Sequence, residues 1–118
     1  MSADNGVYIL KTKDQYRVTS AQAIENIFDV KGKLKPIEVV WLWGKVRYTK
    51  DENRAQDIAK MINSRCHTEY GIKTFVFNKT WKHIVYDAQS IAESQLKHLD
   101  DLDSLKKEKA EYALRITI

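Results

Sequence analysis

Hydrophobic and polar positions alternate in several segments of the chain, which predicts β-strands. Residues 7–11 (VYILK) and 15–19 (QYRVT) predict two strands joined by a short polar link. Residues 37–48 (IEVVWLWGKVRY), rich in β-branched and aromatic side chains, predict a third strand with a bulge or bend at Gly44. Residues 72–77 and 83–86 predict two more strands, and the alternating tail 112–118 predicts a last one. Such a tail at an open sheet edge could pair with its copy in a homodimer.

Apolar residues recur at helical spacing in three other segments. A first helix is predicted from a cap at Thr19 or Ser20 to about Asp29. A second begins at the capping box Thr49-x-x-Glu52 and places Ala55, Ile58, Ala59, Ile62 and Cys66 on one apolar face. A third is predicted from about Ala88 to Lys109. Together these elements predict an α+β fold, with a mostly antiparallel sheet of about five or six strands and three helices packed against it.

Length and composition narrow the class of protein. The chain has 118 residues, 43% hydrophobic and 31% charged, which predicts a single globular domain over residues 1–118. Its one cysteine excludes an internal disulfide and fits a reducing compartment. No apolar run reaches the length of a membrane-spanning helix, and the first residues lack the apolar centre of a signal peptide. We therefore expect a cytoplasmic protein with no membrane partner.

Charge is unevenly distributed along the sequence. Residues 31–50 contain six basic side chains and one acidic side chain, whereas residues 87–111 contain four basic and seven acidic ones. Such an asymmetry is typical of a protein that meets a charged partner or a second copy of itself. Two solvated faces would give the same pattern.

The opening of the chain carries a resemblance. The segments SADNGVYIL (2–10), YRV (16–18) and AQAIEN (21–26) resemble the start of small bacteriophage-encoded proteins with an ADNG(V/I)YIL opening. The segment EYGI at 69–72 is more weakly similar. That group has no established activity, so the resemblance implies a phage or prophage origin. By analogy with other small phage proteins, the resemblance implies that the protein binds a host protein in the bacterial cytoplasm. Proteins of antiviral defence are among the expected targets, which would make this an anti-CRISPR-like inhibitor.

No catalytic or metal-binding motif is present. The sequence lacks a glycine-rich phosphate loop, a nucleophile elbow and a paired-carboxylate motif. Cys66 and His67 are adjacent and would diverge at a helix end, while His83 and His98 are isolated. We predict no catalytic residue, no metal and no cofactor.

Two polar groups were weighed as sites and interpreted as structure. Asp4 and Asn5 could converge with Arg17, Gln22, Glu25 and Asn26, but we expect Asp4 to hold a turn whose conformation Gly6 supplies. The acidic run from Asp100 to Asp103 is expected to be solvated. Cys66, on the apolar helix face, is expected to be a small core residue.

The predicted strand 37–48 supplies the candidate binding residues. If Gly44 does not change the register, one face presents two tryptophans followed by cations, and the partner-binding residues are Trp41, Trp43, Lys45, Arg47 and Lys50. Three interpretations stay open: a helix covers the tryptophans, they anchor a protein interface, or they stack on single-stranded nucleic acid. The predicted function is a non-enzymatic, phage-like protein that binds a host macromolecule. The alternatives are a nucleic-acid-binding protein and a small hydrolase or nuclease with an unrecognised site.

Overall fold

The computed structural model describes residues 6–21, 27–66, 68, 70–98 and 103–116. Within these ranges the chain has an α+β fold with a mixed four-stranded sheet and four helices. It divides into two compact units. We call residues 1–26 with 45–81 the sheet unit, and residues 27–44 with 82–118 the helical unit. Whether the two form a single domain stays a prediction, and each unit is described by itself.

The sheet unit is built on a β-hairpin. Strands β1 (Gly6–Lys11) and β2 (Tyr16–Ala21) pair antiparallel, as the alternation predicted. The very short β3 (Tyr48–Thr49) pairs with β2, and β4 (Ile72–Val76) pairs with β1, giving the order β3-β2-β1-β4. The β1–β4 pair is parallel, so the sheet is mixed. A parallel neighbour needs a long crossover, and the chain between these strands contains α2 (Glu52–Cys66).

Helix α2 packs its predicted apolar face on this sheet. Ala55 and Ala59 are completely buried against Val7, Ile9 and Val18, and the partly buried Ile58 and Ile62 pack around them. Because alanine has a short side chain, the helix approaches the strands closely. The apolar face was predicted correctly except at Cys66, which lies in the last turn and is exposed rather than in the core.

The start of α2 differs from the predicted capping box. The Asp51 carboxylate accepts the Asn53 N–H at 2.9 Å, and the Thr49 hydroxyl accepts the Asp51 N–H at 3.1 Å. Asp51 is thus the residue that caps the helix, because its oxygen reaches an amide of the first turn that has no partner within the helix.

Gly6 has a different role from the one predicted. It is the first residue of β1, paired with Ala21, and its φ is not positive. A Cβ at this position would lie 2.7 Å from Cζ of the fully buried Tyr8. Gly6 therefore makes room for the Tyr8 ring. Asp4 and Asn5 lie outside the described residues.

The helical unit contains α1 (Pro36–Trp43) where the sequence predicted a strand. Pro36 occupies the first helical turn, where its missing N–H costs no hydrogen bond. Val39, Val40 and Trp43 are completely buried, so packing outweighs the weak β preference of these residues. Gly44 is the C-terminal cap of α1, and not a bulge within a strand.

The last part of the chain forms two helices. The sequence predicted a strand at 83–86, a helix from about Ala88 to Lys109 and a strand at 112–118. Helix α3 (Trp81–Leu96) replaces the predicted strand 83–86, and Ile84, Val85, Ala88 and Ala92 are buried at helical spacing. Helix α4 (Ser104–Arg115) includes much of the predicted tail strand. The edge-pairing argument for a homodimer therefore fails for residues 112–115, and residues 117–118 lie outside the described residues.

The structure also differs from the predicted first helix at those of its residues that are described. Thr19 and Ser20, predicted to cap it, belong to β2, and residues 22–26 lie outside the described residues. Around residues 28–34 the chain forms a loop in which the Asp29 carboxylate accepts the backbone N–H groups of Lys31 and Lys33 at 2.8 and 2.9 Å. This loop ends where α1 begins, with Lys35 as the N-cap residue.

A carboxylate in the hairpin turn stabilises the start of α3. Oδ1 of Asp14 accepts the Trp81 backbone N–H at 3.0 Å and the Thr12 hydroxyl at 2.8 Å. Burial alone would raise the pKa of Asp14, but these hydrogen bonds favour the charged form and hold that pKa below its ordinary range. The ionised carboxylate therefore acts as a cap supplied from a distant part of the sheet unit.

Replacing Asp14 by Asn should destabilise the protein at neutral pH by about 1 kcal/mol, the usual value of a helix cap. Since folding lowers the Asp14 pKa, its contribution is present above the unfolded pKa and is lost as the pH falls through the folded pKa. The difference between wild type and D14N in urea unfolding should therefore be constant from pH 7 to about pH 5 and should shrink as the pH falls below about 4. Exposed Asp57, whose carboxylate accepts no hydrogen bond from a described residue, provides the control D57N. A D14N difference that persists unchanged at low pH would contradict this prediction.

Candidate binding site

The five predicted partner-binding residues are divided between the two units. Trp41 and Trp43 lie on α1 of the helical unit, whereas Lys45, Arg47 and Lys50 belong to the sheet unit. The prediction that the tryptophans share one face is wrong. Trp41 and Trp43 are two residues apart on an α-helix, so the directions of their side chains differ by about 200° around the helix axis. Trp43 is completely buried and Trp41 is 40% exposed. Of the two tryptophans, Trp41 alone offers a binding surface.

Trp41 lies beside a buried lysine. The Lys109 ammonium is 5.0 Å from the centroid of the Trp41 ring, within the range of a cation–π interaction. Lys109 is only 5% exposed, which is rare for a lysine without a charged partner. Its partner is Glu38, whose Oε2 is 2.6 Å from Lys109 Nζ, while Oε1 is 3.6 Å from Lys35 Nζ. One carboxylate on α1 therefore holds two lysines.

The sequence brings these groups together through two helical spacings. Glu38 and Trp41 are three residues apart on α1, and Lys106 and Lys109 are three apart on α4, so each pair shares a face. Buried Ala110 and Ala113 give α4 a side of small residues, which suits close packing against α1. At the end of α1, a Cβ on Gly44 would lie 2.9 Å from Ile116 and 3.0 Å from the Tyr112 hydroxyl. A larger residue there would require the ends of the Ile116 and Tyr112 side chains to move.

An open cavity of about 330 Å³ lies next to this ion pair, and we call it the lysine groove. Its lining comes from the start of α1 (Lys35, Pro36, Ile37, Glu38), from α3 (Ile91, Gln95) and from α4 (Lys106, Lys109). Ile91 is 38% exposed, so the groove has an accessible aliphatic wall. Concave sites with apolar walls and a few fixed polar groups are those that bind ligands.

Sequence reasoning missed the central residues of this groove. Glu38 and Lys109 were placed on a predicted strand and near the end of a predicted helix, with no reason to associate them. The one available signal was local: Lys109 lies on the same helical face as Ala110 and Ala113 and not on a fully polar face. That signal suggests a buried lysine but does not identify its partner.

In the sheet unit, Arg17 fixes the segment that carries the predicted cations. Its guanidinium donates to the Val46 carbonyl and to Gln15 Oε1, both at 2.6 Å, and lies 4.1 Å from the Trp81 ring centroid. Burial lowers the pKa of Arg17, and the Asp14 charge opposes this, so the side chain stays protonated. The other residues that could converge with Arg17, namely Asp4, Asn5, Gln22, Glu25 and Asn26, lie outside the described residues.

The anchored segment presents an aromatic ring and cations to solvent. Tyr48 is 56% exposed and lies 5.6 Å from Arg17, while Lys45, Arg47 and Lys50 are exposed. An exposed ring flanked by cations is suitable for stacking on a base beside its phosphates. This second surface keeps the three predicted cations but replaces the tryptophans by Tyr48.

The described part of the chain contains no cluster of metal-ligating side chains and no membrane-spanning helix. No group of three His, Cys, Asp or Glu side chains there could hold a metal ion. None of the helices in it is long and apolar enough to cross a membrane. Gln22, Glu25, Asn26, His67, Asp100 and Asp101 lie outside the described residues.

Comparisons with known proteins gave no relative. The chain matches no protein-family model, no curated protein and no solved structure. The resemblance of the first 26 residues to small phage proteins stays a prediction.

Truncation to alanine of the two tryptophans of α1 should change the free energy of unfolding by very different amounts. W43A removes a completely buried ring and should lower the free energy of unfolding by about 3–5 kcal/mol. W41A should cost far less, because much of its ring is in contact with water. Urea unfolding of both variants measures the difference. Equal losses would contradict the burial pattern of α1.

Removing only one charge of the Lys109–Glu38 pair should lower the free energy of unfolding strongly. K109A leaves Glu38 buried without its nearest charge and should destabilise by about 3–5 kcal/mol. The double variant K109M/E38L removes both charges and should be much closer to wild type in urea unfolding. The exposed pair Glu111–Arg115, at 3.9 Å, is the control, and E111A should change stability by less than about 1 kcal/mol. A double variant as unstable as K109A would show that the ion pair is net stabilising.

Proposed function

We propose that this protein is a non-enzymatic binding protein that contacts a host protein through Trp41 and the adjacent lysine groove. Exposed tryptophan is the residue type most enriched among interface hot spots, particularly beside a pocket. The phage-like opening of the sequence supports a host protein as the class of partner, and antiviral defence proteins are among the candidates. The engagement of Glu38 by two lysines supports a binding role at this site over a role for Glu38 as a general base.

The observation that carries the proposal is the position of Trp41. Its ring is 40% exposed, although it lies on a helix whose neighbouring Val39, Val40 and Trp43 are completely buried. A large apolar ring held on a rigid helix loses little conformational entropy on binding. Lys109 beneath the ring and the groove next to it add polar and shape specificity.

The nucleic-acid alternative is favoured by a different observation, the Tyr48 surface of the sheet unit. There an exposed ring lies among Lys45, Arg47 and Lys50. Binding at this surface would depend on phosphate contacts and would weaken steeply with salt. The two functions therefore make separate predictions at Trp41 and at Tyr48.

W41A should abolish retention of the partner when the tagged protein is incubated with a bacterial lysate and the bound proteins are identified by mass spectrometry. The expected loss is tenfold or more, the range of a hot-spot residue at about 1.4 kcal/mol per factor of ten. Y86A is the matched control, because Tyr86 is a 68% exposed aromatic residue of α3 that does not line the groove. Circular dichroism verifies that both variants are folded.

Three results would contradict or redirect the proposal. Retention that is equally strong in wild type and W41A means that Trp41 is not an interface residue. Loss in W41A and Y86A alike points to non-specific hydrophobic capture. Retention of nucleic acid that is lost in Y48A, weakened by salt and unaffected in W41A supports the alternative function.

A further inference from the structure

The lysine groove carries an uncompensated positive charge. Four charged side chains line it, namely Lys35, Lys106, Lys109 and Glu38, so its formal net charge is +2. Glu38 is engaged by Lys109 at 2.6 Å and Lys35 at 3.6 Å. The Lys106 side chain makes no ion pair with any described residue. Because a concave surface lined mainly by one sign of charge concentrates its electrostatic field, the groove favours an anionic group.

The walls of the groove restrict what the anionic group is attached to. Ile91, Pro36 and the buried Ile37 are aliphatic, and none of the lining residues is aromatic. A nucleotide base would find no ring there on which to stack. A volume of about 330 Å³ is at the lower end of ligand sites and suits one or two side chains. The lining therefore fits a carboxylate on an aliphatic stem.

We propose that the lysine groove binds an acidic segment of the partner protein, with a glutamate or aspartate carboxylate held between Lys106 and Lys35 and an adjacent apolar side chain against Ile91. This inference rests on the proposed function, since it names the chemistry of the partner at the same surface. Trp41 contacts the partner beside the groove, and the lysines select a segment that carries negative charge. Charge complementarity of this kind contributes to specificity and to the association rate.

The probe is a pair of fluorescein-labelled peptides, acetylated and amidated, with sequences Leu-Glu-Leu-Glu and Leu-Gln-Leu-Gln. Fluorescence anisotropy, with protein up to millimolar concentration, should show that wild type binds the acidic peptide at least about tenfold more tightly than the amide peptide. K106E should weaken binding of the acidic peptide by about tenfold. Raising the salt concentration should weaken it further, because the lysines at the rim are screened.

The matched control is K107E. Lys107 is the next residue of α4, is exposed and does not line the groove, so K107E has the same net charge as K106E but leaves the groove intact. K107E should bind the acidic peptide within twofold of wild type. Equal losses in K106E and K107E would overturn the inference, because they would show only a long-range effect of net charge. Wild type that binds neither peptide, or both equally, would overturn it as well.

Retention of the lysate partner separates this inference from the function on which it depends. Loss of the partner in both W41A and K106E, with retention in K107E, supports both proposals. Loss in W41A with full retention in K106E keeps the proposed function and overturns the acidic-segment inference. Retention in all three variants overturns the proposed function itself.

Discussion

The buried ion pair between Lys109 and Glu38 is the constraint on how α1 and α4 pack in the helical unit, because neither charge can be buried there without the other. Removing two charges from water is expensive, and a buried pair is tolerated only when its geometry is close and its remaining bonding capacity is used. Here the separation is 2.6 Å, and Glu38 also attracts Lys35 while Lys109 lies on the Trp41 ring. The pair therefore fixes the register of α4 on α1. It also determines which groups remain free to meet a ligand, namely the Trp41 ring and Lys106.

In the sheet unit, polar side chains similarly fix segments that hydrophobic packing alone leaves undetermined. The apolar contact of α2 with the sheet involves residues of β1, β2 and α2, but not the turn or the segment before β3. Asp14 secures the Trp81 amide, and Arg17 secures the Val46 carbonyl. Because each bond joins residues far apart in sequence, a short strand such as β3 is held in place without much pairing of its own. The exposed Tyr48 surface is a consequence of this anchoring.

Trp41 and Trp43 show how a local geometry changes a functional interpretation. On a strand they would form one aromatic face, and the cations that follow would extend it. On α1 they point in opposite directions, so that one is a core residue and the other an exposed anchor. The proposed binding surface consequently includes residues of α3 and α4, and the cations after Gly44 belong to the sheet unit. Both proposals about the partner follow from the fact that residues 36–43 form a helix and not a strand.

The sequence by itself determined the elements whose pattern has one solution: the β1–β2 hairpin, the apolar face of α2 and strand β4. Their alternation or helical spacing is local and leaves a polar side that identifies the period. Residues 37–43 and 83–86 are short, mostly apolar runs, which fit a buried strand or a buried helix equally well, and the alternation over 112–115 is too short to exclude a helix. The tertiary structure decided these segments as helices, in which Val39, Val40, Trp43, Ile84, Val85 and Ala113 are buried. It alone also decided the proposed site, since Glu38 and Lys109 are far apart in the sequence and only packing places them 2.6 Å apart.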